Sequence, residues 1–203
     1  MPPTGSGSSR PLSAVEEIRL ISDAKRGHAE SFEALVDRYM GPAIHVAMGY
    51  TRNRDDAVDL AQEAFFRVFK SLDRFRDGEP FAPWFFRILR NACLSFLEKR
   101  RRRRAWSLSA RDEGEGDFEL EDEGMLCPRS RAELNESQRH FWSALDQLSP
   151  AHREIILLRH IEDLEYAQIA EILECPVGTV MSRLFHARRR LRGILEPVLE
   201  GRR

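Results

Sequence analysis

The chain has 203 residues and a mass of 23.5 kDa, enough for one domain or two small ones, and 42% hydrophobic with 32% charged residues is the range of a soluble, charge-rich protein. The net charge of -1 hides a separation of signs: bases crowd residues 99–104 and 183–192 and acids crowd 112–123, so neither the balance nor the pI near 6.6 excludes a nucleic-acid partner. Cys93, Cys127 and Cys175 lie far apart without metal-ligand spacing, no apolar run nears the roughly 20 residues of a membrane span, and the opening MPPTGSGSSRP has no apolar core, so no disulfide framework, zinc knuckle, membrane span or signal peptide is expected and a cytoplasmic setting is.

Residues 1–12 are rich in Pro, Gly and Ser with little to bury, and read as a disordered tail. Ser13 and Glu16 form a capping box, Val15, Ile18 and Ile21 make one apolar stripe, and Gly27 marks the end of a first helix. Phe32, Leu35, Val36 and Tyr39 predict a second helix over 29–40, which Gly41-Pro42 should interrupt before a short third helix over 44–50. From residue 55, Val58, Ala61, Phe65, Val68 and Leu72 share one side of a further helix, while Asp56, Asp59 and Glu63 share another. On composition alone that acidic stripe is an ordinary solvated surface.

Residues 74–84 break the helix with Gly78, Pro80 and Pro83 and interleave Phe75, Phe81 and Trp84 with Arg74 and Arg76. Such a loop can stack bases and hold phosphates; the competing reading is an aromatic core, to which Phe66 and Phe85 are assigned. Pro83 suits the first turn of the next helix, whose Phe85, Ile88, Leu89, Ala92 and Phe96 pack while Arg87, Arg90, Asn91 and Lys99 face outward ahead of the 100–104 arginine run. No strand pattern appears, and residues 13–104 read as one helical domain.

Between 105 and 129 apolar periodicity gives way to acids and glycines, the composition of a linker. A coil of roughly 25 residues averages about 25 to 30 Å end to end, and repulsion between its acids extends it, so the flanking domains should be able to separate. Residues 130–198 form the second domain. Leu134, Gln138, Phe141, Leu145 and Leu148 carry its first helix, Ser149-Pro150 starts the next, and Ile155, Leu158 and Ile161 continue the core. A short helix over 166–173, a turn at 174–176 and a longer basic helix over 177–195 make a helix-turn-helix. Val180, Leu184, Ala187 and Leu191 face inward, while Thr179, Ser182, Arg183, His186 and Arg190 project away. The fold expected is therefore all-α: two helical domains joined by a flexible acidic linker, the second a four-helix unit. No nucleophile–base arrangement, phosphate-cradling glycine loop, paired-carboxylate motif or metal spacing stands out, so no enzymatic activity, cofactor or metal is expected.

The order of DDAVDLAQEAFFRVF, LDRFRDGEPFAPWFFRILRNAC and VGTVMSRLFHARRRL resembles the extracytoplasmic-function group of sigma-70-type bacterial initiation factors, over about residues 17–195. The resemblance implies that the first domain binds the clamp of the RNA polymerase core and captures the minus-ten promoter element as single strand, and that the second reads the minus-thirty-five element as duplex. On the matching positions it gives polymerase binding to Asp56, Asp59, Gln62 and Glu63, and minus-ten DNA to Phe75, Arg76, Phe81, Trp84, Arg87 and Asn91. Minus-thirty-five DNA falls to Thr179, Met181, Ser182, Arg183, Phe185, His186 and Arg188. Met181 and His186 stand where many members carry Arg or Lys, and Asp163 and Glu165 replace a common Gly and Ser. An inhibitory anti-sigma partner is implied by the same resemblance. Two DNA elements one and a half to two helical turns apart lie roughly 50 to 70 Å from each other, so a larger partner should hold the linker stretched. A stand-alone helix-turn-helix regulator and a protein-interaction adaptor without DNA are the alternatives.

Overall fold

The computed structural model describes residues 13–110, 136–161 and 164–200, and every regular element among them is helical. In chain order these are α1 (Ala14–Lys25), α2 (Ala29–Thr51), α3 (Arg54–Ser71), a 3-10 turn (Leu72–Arg74), α4 (Phe81–Ala110), α5 (Glu136–Asp146), α6 (Pro150–Ile161), α7 (Tyr166–Leu173) and α8 (Val177–Glu200). The expected tail over 1–12, most of the 105–129 linker, Cys127, Leu134 and Asp163 lie outside the described residues.

Local chemistry explains the helix ends. Ser13 and Glu16 close a reciprocal capping box on α1, and the Asn53 side chain accepts hydrogen bonds from the amides of Asp55 (2.9 Å) and Asp56 (3.0 Å) at the start of α3. Pro83 is the third residue of α4, where no helical acceptor exists for an amide anyway. Glu165 precedes α7, and its amide donates to Gln168 Oε1 at 2.9 Å, which supplies the cap where the resemblance leads one to expect Ser.

Two expectations fail here. Gly41-Pro42 does not interrupt α2, which runs unbroken to Thr51. A proline removes its own amide donor, but burial of Ala43, Val46, Ala47 and Met48 beyond it outweighs that loss. The linker was also expected to begin at residue 105, whereas α4 carries the arginine run on to Ala110, and the Arg100 guanidinium lies 3.9 Å from the Asp56 carboxylate on α3.

The helices α1 to α4 form one bundle around an aromatic centre. Phe65 and Phe85 pack at 4.7 Å, Tyr39 and Phe81 at 5.2 Å, and Phe75 and Trp84 at 4.8 Å between ring centroids. A second core in α5 to α8 is made by Trp142, Leu145, Ile155, Leu158, Ile169, Ile172, Val180, Leu184 and Ala187. The two cores touch: α6 packs on α2 and α7 packs on α4. That apposition was not expected from a linker able to let the domains separate.

A buried thiol, Cys93, and a half-buried phenol, Tyr50, stand near this seam. Burial, then the nearby Glu154 charge, pushes the Cys93 thiol from 9.0 up to about 12, and the same two causes raise the Tyr50 hydroxyl well above its usual 10.0. Both folded-state values exceed the unfolded ones, so the stability tied to keeping these groups neutral is intact below about pH 9 and is lost as the pH rises towards 12. Urea midpoints are expected to fall between pH 8 and pH 10.5, and Cys93→Ala should reduce that slope; an unchanged slope would contradict this placement of the thiol.

Candidate nucleic-acid interface

Three surfaces carry the residues singled out by sequence. The first is the outer face of α3, where Asp59, Gln62 and Glu63 are exposed and Asp56 is half-buried beside Arg100. Glu63 pairs with Arg67 at 2.8 Å, an i,i+4 contact that solvent screens. Further along the helix stand Phe66 and Phe69, 53% and 62% exposed. Phe66 was expected in the core. Adjacent residues on a helix point about 100° apart, and Phe65 already occupies the inward position with Ala61, Ala64 and Val68, so Phe66 is turned out. Lys70 Nζ lies 4.2 Å from the Phe66 ring centroid, and Phe32 meets Phe69 edge-on at 5.2 Å. The result is a ridge with acids at one end and aromatics at the other.

The second surface is the loop before α4. The Arg76 carbonyl accepts from the Glu79 amide at 3.3 Å, closing a turn in which Gly78 takes φ of +86°, and Lys25 from α1 ties the loop down through the Phe75 carbonyl and the Asp77 carboxylate. A cavity of about 440 Å³ opens here, walled by Arg74, Arg76, Arg87, Trp84 and the two prolines of the loop. Phe75 and Phe81 were expected to offer their faces to bases. Instead they are 5% and 0% exposed, because Phe81 is enclosed by Tyr39, Trp84, Phe75 and Phe85. They build the floor under the loop, and the half-buried Trp84 is the ring that reaches the cavity. Arg76, Arg87 and Asn91 are exposed; Arg90, expected to face outward, instead pairs with Glu154 of α6 at 2.6 Å.

The third surface is α8. Val180, Leu184 and Ala187 are fully buried, which turns Met181, Ser182, Phe185, His186 and Arg188 to solvent, with Thr179 and Arg183 half-buried at the margin. Met181 and Phe185 are 54% and 64% exposed. An apolar stripe bordered by arginines is suited to a groove that presents thymine methyl groups and phosphates together. The short α7, the turn at Glu174 (φ +53°) and the long α8 form the helix-turn-helix expected from the sequence.

Comparison with known proteins follows the same division. Residues 35–103 match the family model described as Sigma-70 region 2, and residues 138–191 match Sigma-70, region 4. The chain is 32% identical over 191 residues to the RNA polymerase sigma-H factor of Pseudomonas aeruginosa, covering 93% of this chain and 98% of that one. This chain belongs to the sigma-70 family, in its extracytoplasmic-function group. The sigma-E factor of Escherichia coli K12, named for that group, is 32% identical over 184 residues, covering 89% of this sigma factor and 94% of its relative. Among solved structures, CnrH in complex with the cytosolic domain of CnrY shares the fold at a TM-score of 0.64 and 24% identity, covering 90% of this chain and 98% of that one. The Bartonella quintana sigma factor RpoE in complex with the anti-sigma factor NepR does so at 0.62 and 24%, covering 82% and 98%. No described helix of this sigma factor is long and apolar enough to cross a membrane.

Proposed function

We infer that this sigma factor binds the RNA polymerase core and directs promoter-specific initiation in the cytoplasm, reading the minus-thirty-five element as duplex through α8 and taking the minus-ten element as single strand at the loop before α4. The observation that carries this is the presence on one chain of an exposed acidic and aromatic ridge beside two separate cationic surfaces, one on a helix-turn-helix and one around a loop cavity. A stand-alone regulator needs only the helix-turn-helix, and an adaptor needs neither cationic surface.

The ridge on α3 is assigned to the polymerase: Asp59, Gln62 and Glu63 with Asp56 behind them, extended by Phe66 and Phe69, which sequence reasoning placed in the core or passed over. Exposed aromatics adjoining a polar patch are frequent anchors of a protein interface. The cavity is assigned to an extruded base, with Trp84 as the stacking ring, Arg74, Arg76 and Arg87 as phosphate partners, and Asn91 alongside; a stacked base contributes about 1 to 3 kcal/mol, enough to hold an open strand while the polymerase supplies the rest. An inhibitor of the anti-sigma type belongs to the same proposal.

Charge reversal tests the first assignment. Asp59→Lys with Glu63→Lys should weaken core polymerase binding by a hundredfold or more, about 2.8 kcal/mol, and Phe69→Ser alone by about tenfold or more, roughly 1.4 kcal/mol. Neither should change the urea midpoint by more than the few tenths typical of surface sites. Unchanged core affinity in both variants would remove α3 from the interface.

A further inference from the structure

Three arginines wall the loop cavity, and their own charges work against keeping the loop in place. Arg74, Arg76 and Arg87 share one opening of about 440 Å³ and repel each other. Residues 76–80 are exposed, and the turn between Arg76 and Glu79 is closed by a long bond of 3.3 Å. Gly78, at a φ of +86°, can leave that conformation freely, since a glycine has no Cβ to penalise either sign of φ. Such a loop has to be held from outside.

Among the described residues, the side-chain hydrogen bonds that tie residues 75–79 to another helix come from Lys25, in the last turn of α1. Its Nζ donates at 2.5 Å to the Phe75 carbonyl and at 2.5 Å to Asp77 Oδ1, partners 50 and 52 positions away, and stands 5.8 Å from the Phe75 ring centroid. The lysine side chain is 18% exposed and Asp77 is 80% exposed, so the bond to the carbonyl is the sheltered one and the ion pair adds less. Phe75 in turn packs at 4.8 Å against Trp84, the ring that reaches the cavity. Asp77 is meanwhile kept off the cavity wall, where its carboxylate would compete with phosphate for Arg74 and Arg76.

We propose that Lys25 is a positioning residue for capture of the unpaired strand: it fixes the Phe75 backbone and draws Asp77 aside, so that Trp84 and the three guanidinium groups surround the cavity before DNA arrives. The inference rests on the base-capture reading above and adds to it a residue of α1 that lines no part of the cavity. A lysine suits the task because three donors on one compact head can serve a carbonyl and a carboxylate together. The effect is preorganisation. A loop that holds the competent arrangement about one part in ten of the time binds about tenfold more weakly than one kept in it.

Full-length variants reconstituted with core polymerase test it, with core alone as the baseline. Lys25→Met keeps the length of the stem and has no donor, whereas Lys25→Arg keeps donors for both acceptors. Each complex is titrated with a labelled pool of random-sequence single-stranded 20-mers and with a 20-mer of the same backbone whose sugars carry no bases. Lys25→Met should weaken binding to the pool about tenfold and to the base-free strand by less than about twofold, and Lys25→Arg should return pool binding to within about threefold of the unaltered chain. A merely structural role would lower affinity for both strands and for core polymerase together. Unchanged pool binding in Lys25→Met, equal loss on the two strands, or no recovery in Lys25→Arg would each overturn the proposal. Asp77→Ala, at an exposed side chain, keeps the test open if Lys25→Met fails to fold: it should cost about two- to threefold on the pool alone, and no change there would count equally against the proposal. The two levels of inference separate cleanly. An unaltered complex that binds the base-free strand as tightly as the pool sinks base capture itself, while a preference for the pool that survives Lys25→Met sinks only the role of Lys25.

Discussion

Arg153→Ala should lower the stability of the chain by about 3 kcal/mol, the scale expected when several buried carbonyls lose a charged donor together. The guanidinium is 4% exposed and donates through Nε to the Leu145 carbonyl at 2.9 Å, through Nη2 to those of Asp146 and Leu148 at 3.0 and 3.2 Å, and through Nη1 to Gly49. Three of these acceptors lie at the end of α5 and in the turn after it, so Arg153 works as a C-terminal cap delivered from the neighbouring helix. The placement has an opposing term: burial, then the nearby Arg52, draws the Arg153 pKa down from 12.5 to about 10, with Asp146 offsetting part of that. The group is still charged at neutral pH, and deleting it takes a donor from all four carbonyls; the Leu145 carbonyl keeps the Leu148 amide at 3.0 Å and the Asp146 carbonyl keeps Arg52 at 3.5 Å. Arg153→Lys should rescue little, because one ammonium cannot span four carbonyls in a plane. Urea denaturation at pH 7 reads both variants; a loss below about 1 kcal/mol for Arg153→Ala, within the range of a single hydrogen bond, would contradict the capping role.

Phe81→Ala is expected to lose about 3 to 5 kcal/mol, the range for emptying a fully buried aromatic site. Its ring is 0% exposed and lies 5.2 Å from Tyr39, 5.8 Å from Trp84 and 5.8 Å from Phe85 in a stacked pair. A large fraction of the 5 to 15 kcal/mol that holds a typical domain would disappear, and Trp84 fluorescence should report the loosening directly. A Phe81 that met bases would behave differently, losing DNA affinity at constant stability. Arg87→Ala supplies that contrast: its exposed side chain should leave the unfolding free energy within about 0.5 kcal/mol while weakening single-strand binding. If Phe81→Ala unfolds at the same urea concentration as the unaltered chain, the aromatic floor is misplaced.

These two residues mark what the sequence makes legible. Helical spacing located α7 over Tyr166–Leu173 and the start of α8 at Val177, because Val180, Leu184 and Ala187 recur at three- and four-residue steps and nothing else competes for that face. Motif order singled out the residues of the three candidate surfaces. What spacing could not resolve was depth. Phe75 and Phe81 in a loop rich in Pro and Arg look like contacts, yet rings that follow a turn can fold back under it. Phe66 looks like core until Phe65 is seen to fill the inward position. Pro42 looks like a break until the burial beyond it is known. The seam was beyond reach altogether, since Gly49, Arg153 and Glu154 are ordinary helix residues whose roles come from partners about a hundred positions away.

Reconstitution of the full-length chain with bacterial core polymerase, with transcripts mapped from a random promoter library, puts promoter-directed initiation to the test. Discrete start sites are expected, whose upstream DNA shares two short motifs about one and a half to two helical turns apart, and they should be lost when Asp59→Lys and Glu63→Lys are introduced together. A chain that binds duplex DNA through α8 yet neither associates with core nor produces such starts would contradict it.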